Sequence, residues 1–479
     1  MNKIIPAILI ICLFAGSAFS QNMPGYEIDV KVRNLKDTSV FLGYYFGKYQ
    51  YIRDTVQLDA NGTATFETRD TVGGGIYFIV LPSRKYFEIL LDRERKFSVE
   101  CDTGDVVATL KVKGSKDNEA FAEYQQYISV KGKELDEWMP VYNRLKDGED
   151  QDSIDLVSDK MTAINEEVMD FKEKFMKKNP ESFLTTVFLA SKEPEMDETP
   201  LKPDGTKDSV AEYQYYKSHY WDNIDLTDDR LLRTPVLNNK IEQYFNKVIA
   251  QIPDTIMKEV DVIIEKARPN KEVFKYIVWY LTHNYETSHV MGFDAVFVHI
   301  VDSVYRKGDA FWVSENVNKK IIERADKLKP TLIGNVAPNL ILLNTENKLV
   351  PLHAVPGEYM IIYFWSYDCG HCAKETPLLV KYYREVKDTM DMMVYAVCTD
   401  TSLTQWKNYI EEKDMGDFIN VNGTRSALGN FHDLYDIYST PVVYLVDRKK
   451  RIIAKRIPVE TIGTYLGHYM KNPLFKDEE

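Results

Sequence analysis

The stretch FWSYDCGHCAKETP, Phe364–Pro377, sets two cysteines two residues apart. A pair at that spacing is a redox couple, half of a zinc site, or two ordinary buried thiols. Upstream, Met360–Trp365 is a short apolar run of the kind a buried strand shows, and downstream Lys374–Lys387 carries a helical pattern. Cys369 thus falls where a strand turns into a helix. A helix N-terminus carries partial positive charge and unpaired backbone N–H groups, which favour thiolate over thiol. Two intervening residues let the second sulfur reach the first, so that Cys372 can resolve a mixed disulfide formed at Cys369. Cys369 is expected to be the exposed attacker and Cys372 the buried resolver.

Working outward, strand and helix patterns alternate through the last 150 or so residues. Pro338–Leu343 and Lys348–Leu352 read as a leading hairpin, Met392–Cys398 as a second apolar strand, and Thr404–Lys413 as a helix. Val442–Val446 and Arg451–Arg456 follow as strands, and Val459–Met470 as a closing helix. Such alternation predicts a mixed sheet covered on both faces.

On these residues the region resembles the thioredoxin superfamily, and more narrowly the exported thiol-disulfide oxidoreductases of the TlpA and ResA type. Trp365 ends a strand four residues before Cys369, Pro377 lies five residues after Cys372, and YSTPVVYLVD sets Thr440-Pro441 just before a core strand. The resemblance implies a cis-proline loop at Thr440-Pro441 that offers its backbone to an extended substrate, with Trp365 beside it. The segment TQWKNYIEEK, between Cys398 and that loop, is an insertion similar to one in this group. Two positions depart from the pattern. Thioredoxin has a buried aspartate six residues before the first cysteine, where this chain has Tyr363. Asp368 stands where the family often has an aromatic, and a carboxylate there opposes the thiolate. Glu375, three residues after Cys372, matches a glutamate of the ResA pattern and is expected to help move the proton. His371 stabilises the thiolate when protonated. The Gly-His dipeptide resembles that of protein disulfide isomerases, which implies a potential nearer about −200 mV than thioredoxin's about −270 mV.

Other chemistry fits less well. Ser366 makes an S-x-x-C arrangement of the peroxidase kind, but Ile362 takes the place of that class's proline. A zinc site would need a second CxxC or two spaced histidines. His283, His289 and His299 are six and ten residues apart, which puts no pair on adjacent helical turns, so no metal site is expected. Cys101 and Cys398 lie in apolar strand patterns and read as core thiols. A scaffold protein whose thioredoxin-like domain only docks is the remaining alternative. Exchange at the two sulfurs requires no bound cofactor, so none is expected.

The rest of the 479 residues divides by periodicity. From Tyr26 to Lys113 apolar residues alternate, as in Ile28, Val30, Val32 and Phe97, Val99, Cys101, with Asn61-Gly62 as one turn. Some eight short strands in a small antiparallel sandwich or barrel are expected. Ile154, Val157, Met161, Ile164, Val168, Phe171 and Phe175 then mark one stripe of a helix that Asn179-Pro180 ends. The expected organisation is a signal peptide over 1–20, an all-β sandwich-like domain over 24–115, an all-α domain over 116–328 and an α/β thioredoxin-like domain over 329–479. The leader has Lys3, an apolar run Ile4–Phe14 and small residues at Ala18 and Ser20, with cleavage expected after Ser20. Cys12 follows Ile10 and Ile11, not the small residue that lipid attachment favours. The expected location is the periplasm or cell envelope, without a membrane span. The net charge of −13, or −14 once Lys3 is removed, gives no electrostatic reason to bind nucleic acid or anionic lipid. By resemblance the partners are protein thiols and disulfides, together with a recycling redox partner. The N-x-T matches at Asn61 and Asn422 carry no further sign of glycosylation.

Overall fold

The computed structural model describes residues 25–475 apart from Asp147, Glu149 and Gly429. The expected leader and Cys12 lie outside the described residues. By packing, the chain forms two compact units. One runs to Ala250 and adds Ile263–Tyr276; the other comprises Gln251–Val262 and everything from Ile277 onward. The helical stretch contributes to both.

The first unit starts with eight strands: β1 (Tyr26–Arg33), β2 (Ser39–Phe46), β3 (Tyr49–Gln57), β4 (Thr63–Thr68), β5 (Gly75–Val80), β6 (Tyr86–Leu91), β7 (Lys96–Asp102) and β8 (Lys111–Lys113). They form two four-stranded sheets, β4-β1-β7-β8 and β3-β2-β5-β6. The alternation read in the sequence is what fills the space between them: Ile28, Val30, Val32, Phe97, Val99 and Cys101 from one sheet share a core with Val40, Leu42, Tyr77, Ile79, Phe87 and Ile89 from the other. One pairing departs from the antiparallel expectation, because β1 and β7 run parallel. A parallel neighbour needs a long crossover, and the strands of the second sheet supply it. At Asn61-Gly62 the turn needs glycine, since Gly62 has φ +74° and a Cβ there would meet Val32 O at 2.4 Å.

Helix α1 (Lys116–Lys146) protects the open edge of β6. The buried Asn118 side chain accepts from Leu90 N–H at 2.7 Å and donates to Leu90 O at 2.9 Å. Gln125 repeats the double bond with Glu88, at 2.9 Å each way. Two amide side chains thereby complete the hydrogen bonding of an edge strand, where each buried group left unpaired costs about 1–3 kcal/mol. Helix α2 (Gln151–Lys178) is capped by Asp150 and ends at Asn179, and its expected stripe is its inward face, with Val157, Ile164 and Phe175 buried. Shorter helices follow: α3 (Phe183–Ser191), α4 (Ser209–His219), α5 (Pro235–Gln243), α6 (Pro253–Ala267), α7 (Lys271–Glu286), α8 (Asp294–Ile300) and α9 (Glu315–Leu328).

The second unit is built on a seven-stranded sheet of β9 (Ile341–Asn344), β10 (Leu349–Pro351), β11 (Tyr359–Trp365), β12 (Met392–Cys398), β13 (Ile419–Leu428), β14 (Val442–Asp447) and β15 (Ile452–Lys455), in the order β10-β9-β13-β12-β11-β14-β15. Strands β11, β12 and β13 are parallel and the outer pairings antiparallel. Helices α10 (Gly370–Val386), α11 (Leu403–Glu412) and α13 (Ile462–Lys471) pack on one face, and α12 (Phe431–Tyr435) on the other. Strand β13 is absent from the sequence reading because it carries polar residues inward. Asn420 donates to Met415 O and Phe418 O, and Asn422 to Asp400 O, so both amide nitrogens are paired with backbone carbonyls in place of apolar contacts. Asn422 is fully buried and closed to glycosylation in the folded chain.

Within this unit the late helices are tied to the sheet by charge. Lys455 on β15, only 5% exposed, pairs with Asp294 at the start of α8 and donates to Thr331 O at 2.8 Å. Arg324 of α9 reaches Asp436 at 2.7 Å, and Arg456 holds the same buried carboxylate at 3.0 Å. Among the described residues no helix is long and apolar enough to cross a membrane.

Candidate active site around two cysteines

Strand β11 is buried along nearly its whole length and brings the chain out of the sheet at Trp365. The turn that follows ends at Cys369, which occupies the N-cap of α10 with extended backbone (φ −93°, ψ 114°). Its sulfur does what a capping oxygen does elsewhere and accepts from Cys372 N–H at 3.2 Å. From the other side the thiol donates to Thr440 O, also at 3.2 Å. The Thr440-Pro441 bond is cis, as the resemblance implied, and both residues are half-buried. Cys369 is partly exposed, whereas Cys372 is fully buried one helical turn in. Pro377 lies inside α10, where it removes a backbone donor.

The two thiols are held in opposite senses. Burial pushes Cys369 up, but hydrogen bonds from Cys372, the Thr440 side chain and the His371 N–H outweigh it and leave the thiol below its ordinary range. Burial pushes Cys372 up to about 12, and its hydrogen bond with Cys369 adds to the shift. When one proton is shared between the two sulfurs it therefore resides on Cys372. Alkylation of the reduced protein by iodoacetamide is expected to strike Cys369 alone, because only the thiolate reacts. Its rate should rise with pH through a midpoint below the ordinary thiol value of about 8.5. Mass spectrometry of protein quenched at successive pH values reads both the site and the midpoint, and a midpoint above 8.5 would contradict the electrostatics described.

The other expected residues fall as follows. His371 and Asp368 are exposed on the rim of the turn. Glu375 is half-buried, and its Oε2 accepts from Val459 N–H at 3.0 Å. Trp365, expected on the substrate side, is instead fully buried and stacked on Tyr409 with ring centroids 4.7 Å apart. Ending a strand that has neighbours on both sides, it cannot touch a substrate and fixes the strand end. Tyr363, in the place of thioredoxin's aspartate, is fully buried and bonds Thr376 Oγ1 at 2.9 Å; Thr376 in turn lies 3.4 Å from the Tyr409 hydroxyl. The sequence reading missed Thr376 and Tyr409, although Thr376 lies four residues after Cys372 and so on the same helical face. Asp400 was missed as well: it accepts from Tyr367 N–H at 3.0 Å and steadies the turn before Cys369. Cys398 and Cys101 are buried, and burial pushes each up to about 12. Of His283, His289 and His299, His299 bonds Asp261 at 2.7 Å and His283 stacks on Trp279. Among the described residues no three His, Cys, Asp or Glu side chains are grouped to hold a metal ion.

A parallel core with antiparallel flanks, covered by helices on both faces, and a cis-proline loop against a sulfur at a helix N-terminus define the thioredoxin-like fold. Residues 333–455 match the AhpC/TSA family. Residues 26–121 and 190–332 match two domains of unknown function, DUF4369 and DUF5106. The thiol-disulfide oxidoreductase ResA of Bacillus cereus is 25% identical over 147 residues, which is 31% of this chain and 82% of the relative. Among solved structures, a domain of a possible thiol-disulfide isomerase from Cytophaga hutchinsonii is 36% identical, with 29% of this chain and 94% of that one covered at a TM-score of 0.28. A thioredoxin-like protein from Bacteroides caccae is 16% identical, with 58% and 99% covered at a TM-score of 0.44. The chain belongs to the thioredoxin-like thiol-disulfide oxidoreductases of the TlpA/ResA type, with a strand-rich and a helical region ahead of the thioredoxin-like one.

Proposed function

We propose that the protein is exported to the cell envelope and exchanges disulfides with protein thiols through Cys369 and Cys372. The observation that carries this reading is the position of Cys369 Sγ, 3.2 Å from both the Cys372 N–H and the Thr440 carbonyl. Such a sulfur is ionised more easily than its neighbour and lies against the backbone of the Thr440-Pro441 loop. In the reducing direction the Cys369 thiolate attacks one sulfur of a substrate disulfide, and the other sulfur leaves as a thiolate. Cys372 then loses its proton and attacks Cys369. The Cys369–Cys372 bond forms, the bond to the substrate breaks, and the substrate has gained two electrons. Run backwards, the same steps oxidise a dithiol.

In this reading His371 supports the Cys369 thiolate, and Thr440-Pro441 pairs with extended substrate backbone as an added strand would. Glu375, held by Val459 N–H, assists proton movement near Cys372. The two sulfurs carry both electrons, so the step requires no bound cofactor. A separate redox protein must return the pair to its starting state. The sequence of the first 20 residues is what supports export.

The test is equilibration of the purified protein in glutathione redox buffers, with the Cys369–Cys372 disulfide quantified by acid quench and mass spectrometry. A reversible two-electron couple between about −120 and −300 mV is expected. A pair that never closes, or that takes up stoichiometric zinc, would refute the exchange reading and favour a scaffold.

A further inference from the structure

The residues Asp436–Thr440 lead from α12 toward β14 and carry the carbonyl that the Cys369 thiol bonds. They lie outside helix and strand, and their path is set at the first of them. Asp436 has left-handed backbone (φ 54°), which few residues other than glycine adopt and aspartate adopts more readily than most. Its side chain is 3% exposed, and a carboxylate so deep is tolerated only when it is paired. Arg324 of α9 bonds it at 2.7 Å. Arg456, just past β15, bonds it at 3.0 Å and also donates to the Asp436 carbonyl at 2.7 Å. Lys327 follows Arg324 by three residues and so lies on the same face of α9. Its ammonium donates to the Tyr438 hydroxyl at 2.8 Å. One helix thus holds the segment at two points, four and two residues before Thr440.

Tyr438 is 66% exposed although Ile437 beside it is buried. A lone exposed aromatic means little by itself. This one is fixed by its hydroxyl and stands two residues from the backbone with which the substrate is proposed to pair. Two residues of extended chain span about 7 Å and cross-strand neighbours meet over about 5–8 Å, so a peptide added at Thr440 brings its own side chains within reach of the ring. The surroundings favour an uncharged side chain. Asp433 lies 3.9 Å from the Lys327 ammonium and balances it, and a further ring, that of His432, lies 6.4 Å from Tyr438.

We propose that Tyr438 is a specificity-determining residue of the exchange reaction, whose ring receives an apolar or aromatic side chain within about three residues of the substrate cysteine. The inference rests on the exchange reading above and names the class of substrate. Cysteines with apolar neighbours belong to segments that a folded protein buries, so such a site selects chains that are extended and not yet folded. Arg324, Lys327 and Asp436 act through the segment and are positioning residues. The helical stretch thereby enters the substrate site, since α9 lies within residues 190–332 and both cysteines within 333–455.

Short peptides with one central cysteine, held as the mixed disulfide with thionitrobenzoate, test this on the reduced full chain. They differ only in the residues flanking the cysteine, phenylalanine in one and glycine in the other. The Cys369 thiolate attacks the peptide sulfur, and thionitrobenzoate leaves as a coloured thiolate that reports the rate. The phenylalanine peptide should reach half-saturation at a concentration about 10-fold lower than the glycine peptide, as one well-placed aromatic contact provides. In Tyr438→Ala that preference should fall below about twofold, in Tyr438→Phe it should persist, and in Lys327→Met, which frees the ring, it should drop by about threefold. A wild-type chain without the preference, or a Tyr438→Ala chain that keeps it, would overturn the proposal. Equal losses with both peptides leave the preference intact and would also overturn it, since they mark only a displaced loop. Thionitrobenzoate release that is never followed by closure of the Cys369–Cys372 disulfide would instead refute the exchange reading.

Discussion

The Cys372→Ser protein is expected to accumulate as a covalent adduct with its substrate, and the Cys369→Ser protein to form none. The difference follows from where the two sulfurs sit. Cys369 is partly exposed, lowered in pKa and in contact with Thr440, where a substrate peptide is proposed to lie, so the first bond is expected to form there. Cys372 is fully buried with its backbone N–H on the Cys369 sulfur, so that its loss removes the second attack and leaves the first intact. Exchange catalysed by Cys369→Ser should fall to that of the buffer thiols, because a serine hydroxyl stays protonated where a thiolate forms. Non-reducing gel electrophoresis of alkylated cell extracts, followed by mass spectrometry, reads the adducts and their release by dithiothreitol. Adducts on Cys369→Ser protein but not on Cys372→Ser would reverse the assignment of attacker and resolver.

The second large effect concerns stability. Asp294→Ala strands the Lys455 ammonium, 5% exposed, with its hydrogen bond to Thr331 O left in place. Breaking a buried ion pair from one side costs about 3–5 kcal/mol, since the surviving charge keeps its desolvation cost without its partner. Hydrogen exchange of the β11, β12 and β14 amides is expected to quicken accordingly, because these strands open only with the whole sheet. The double variant Asp294→Ala with Lys455→Met removes the stranded charge and should recover most of the loss. A double variant no more stable than the single one would show that the lost contact, not the uncompensated ammonium, sets the cost.

The sheet and the pair of cysteines were legible because they follow period and spacing. An apolar run long enough for one buried strand, a CxxC at its end and a proline before a later strand are local marks, and each survives in the folded chain. Strand β13 was hidden because its inward residues include two asparagines, Asn420 bonded to carbonyls just before the strand and Asn422 to the carbonyl of Asp400, so its pattern has no apolar face to read. Trp365 was placed at the substrate by the resemblance to the family, which rests on its spacing from Cys369. Its burial depends on Tyr409, which is 44 residues away along the chain. The hydroxyls of Tyr363, Thr376 and Tyr409 join residues 13 and 33 apart on a strand and two helices, and no window of sequence contains them. Charge contacts between α8, α9 and the sheet were hidden for the same reason.

The two amides that α1 lays along β6 bear on how this protein stays dispersed. A bare edge strand is a template for another chain, and here the template is covered not by a strand but by Asn118 and Gln125. The DUF4369 match ends at residue 121, before the second amide. A fragment cut there retains the sandwich core short of Ala122 and loses half of the cover, so it is expected to self-associate through β6. The first turns of α1 thus belong to the strand domain as its guard against aggregation.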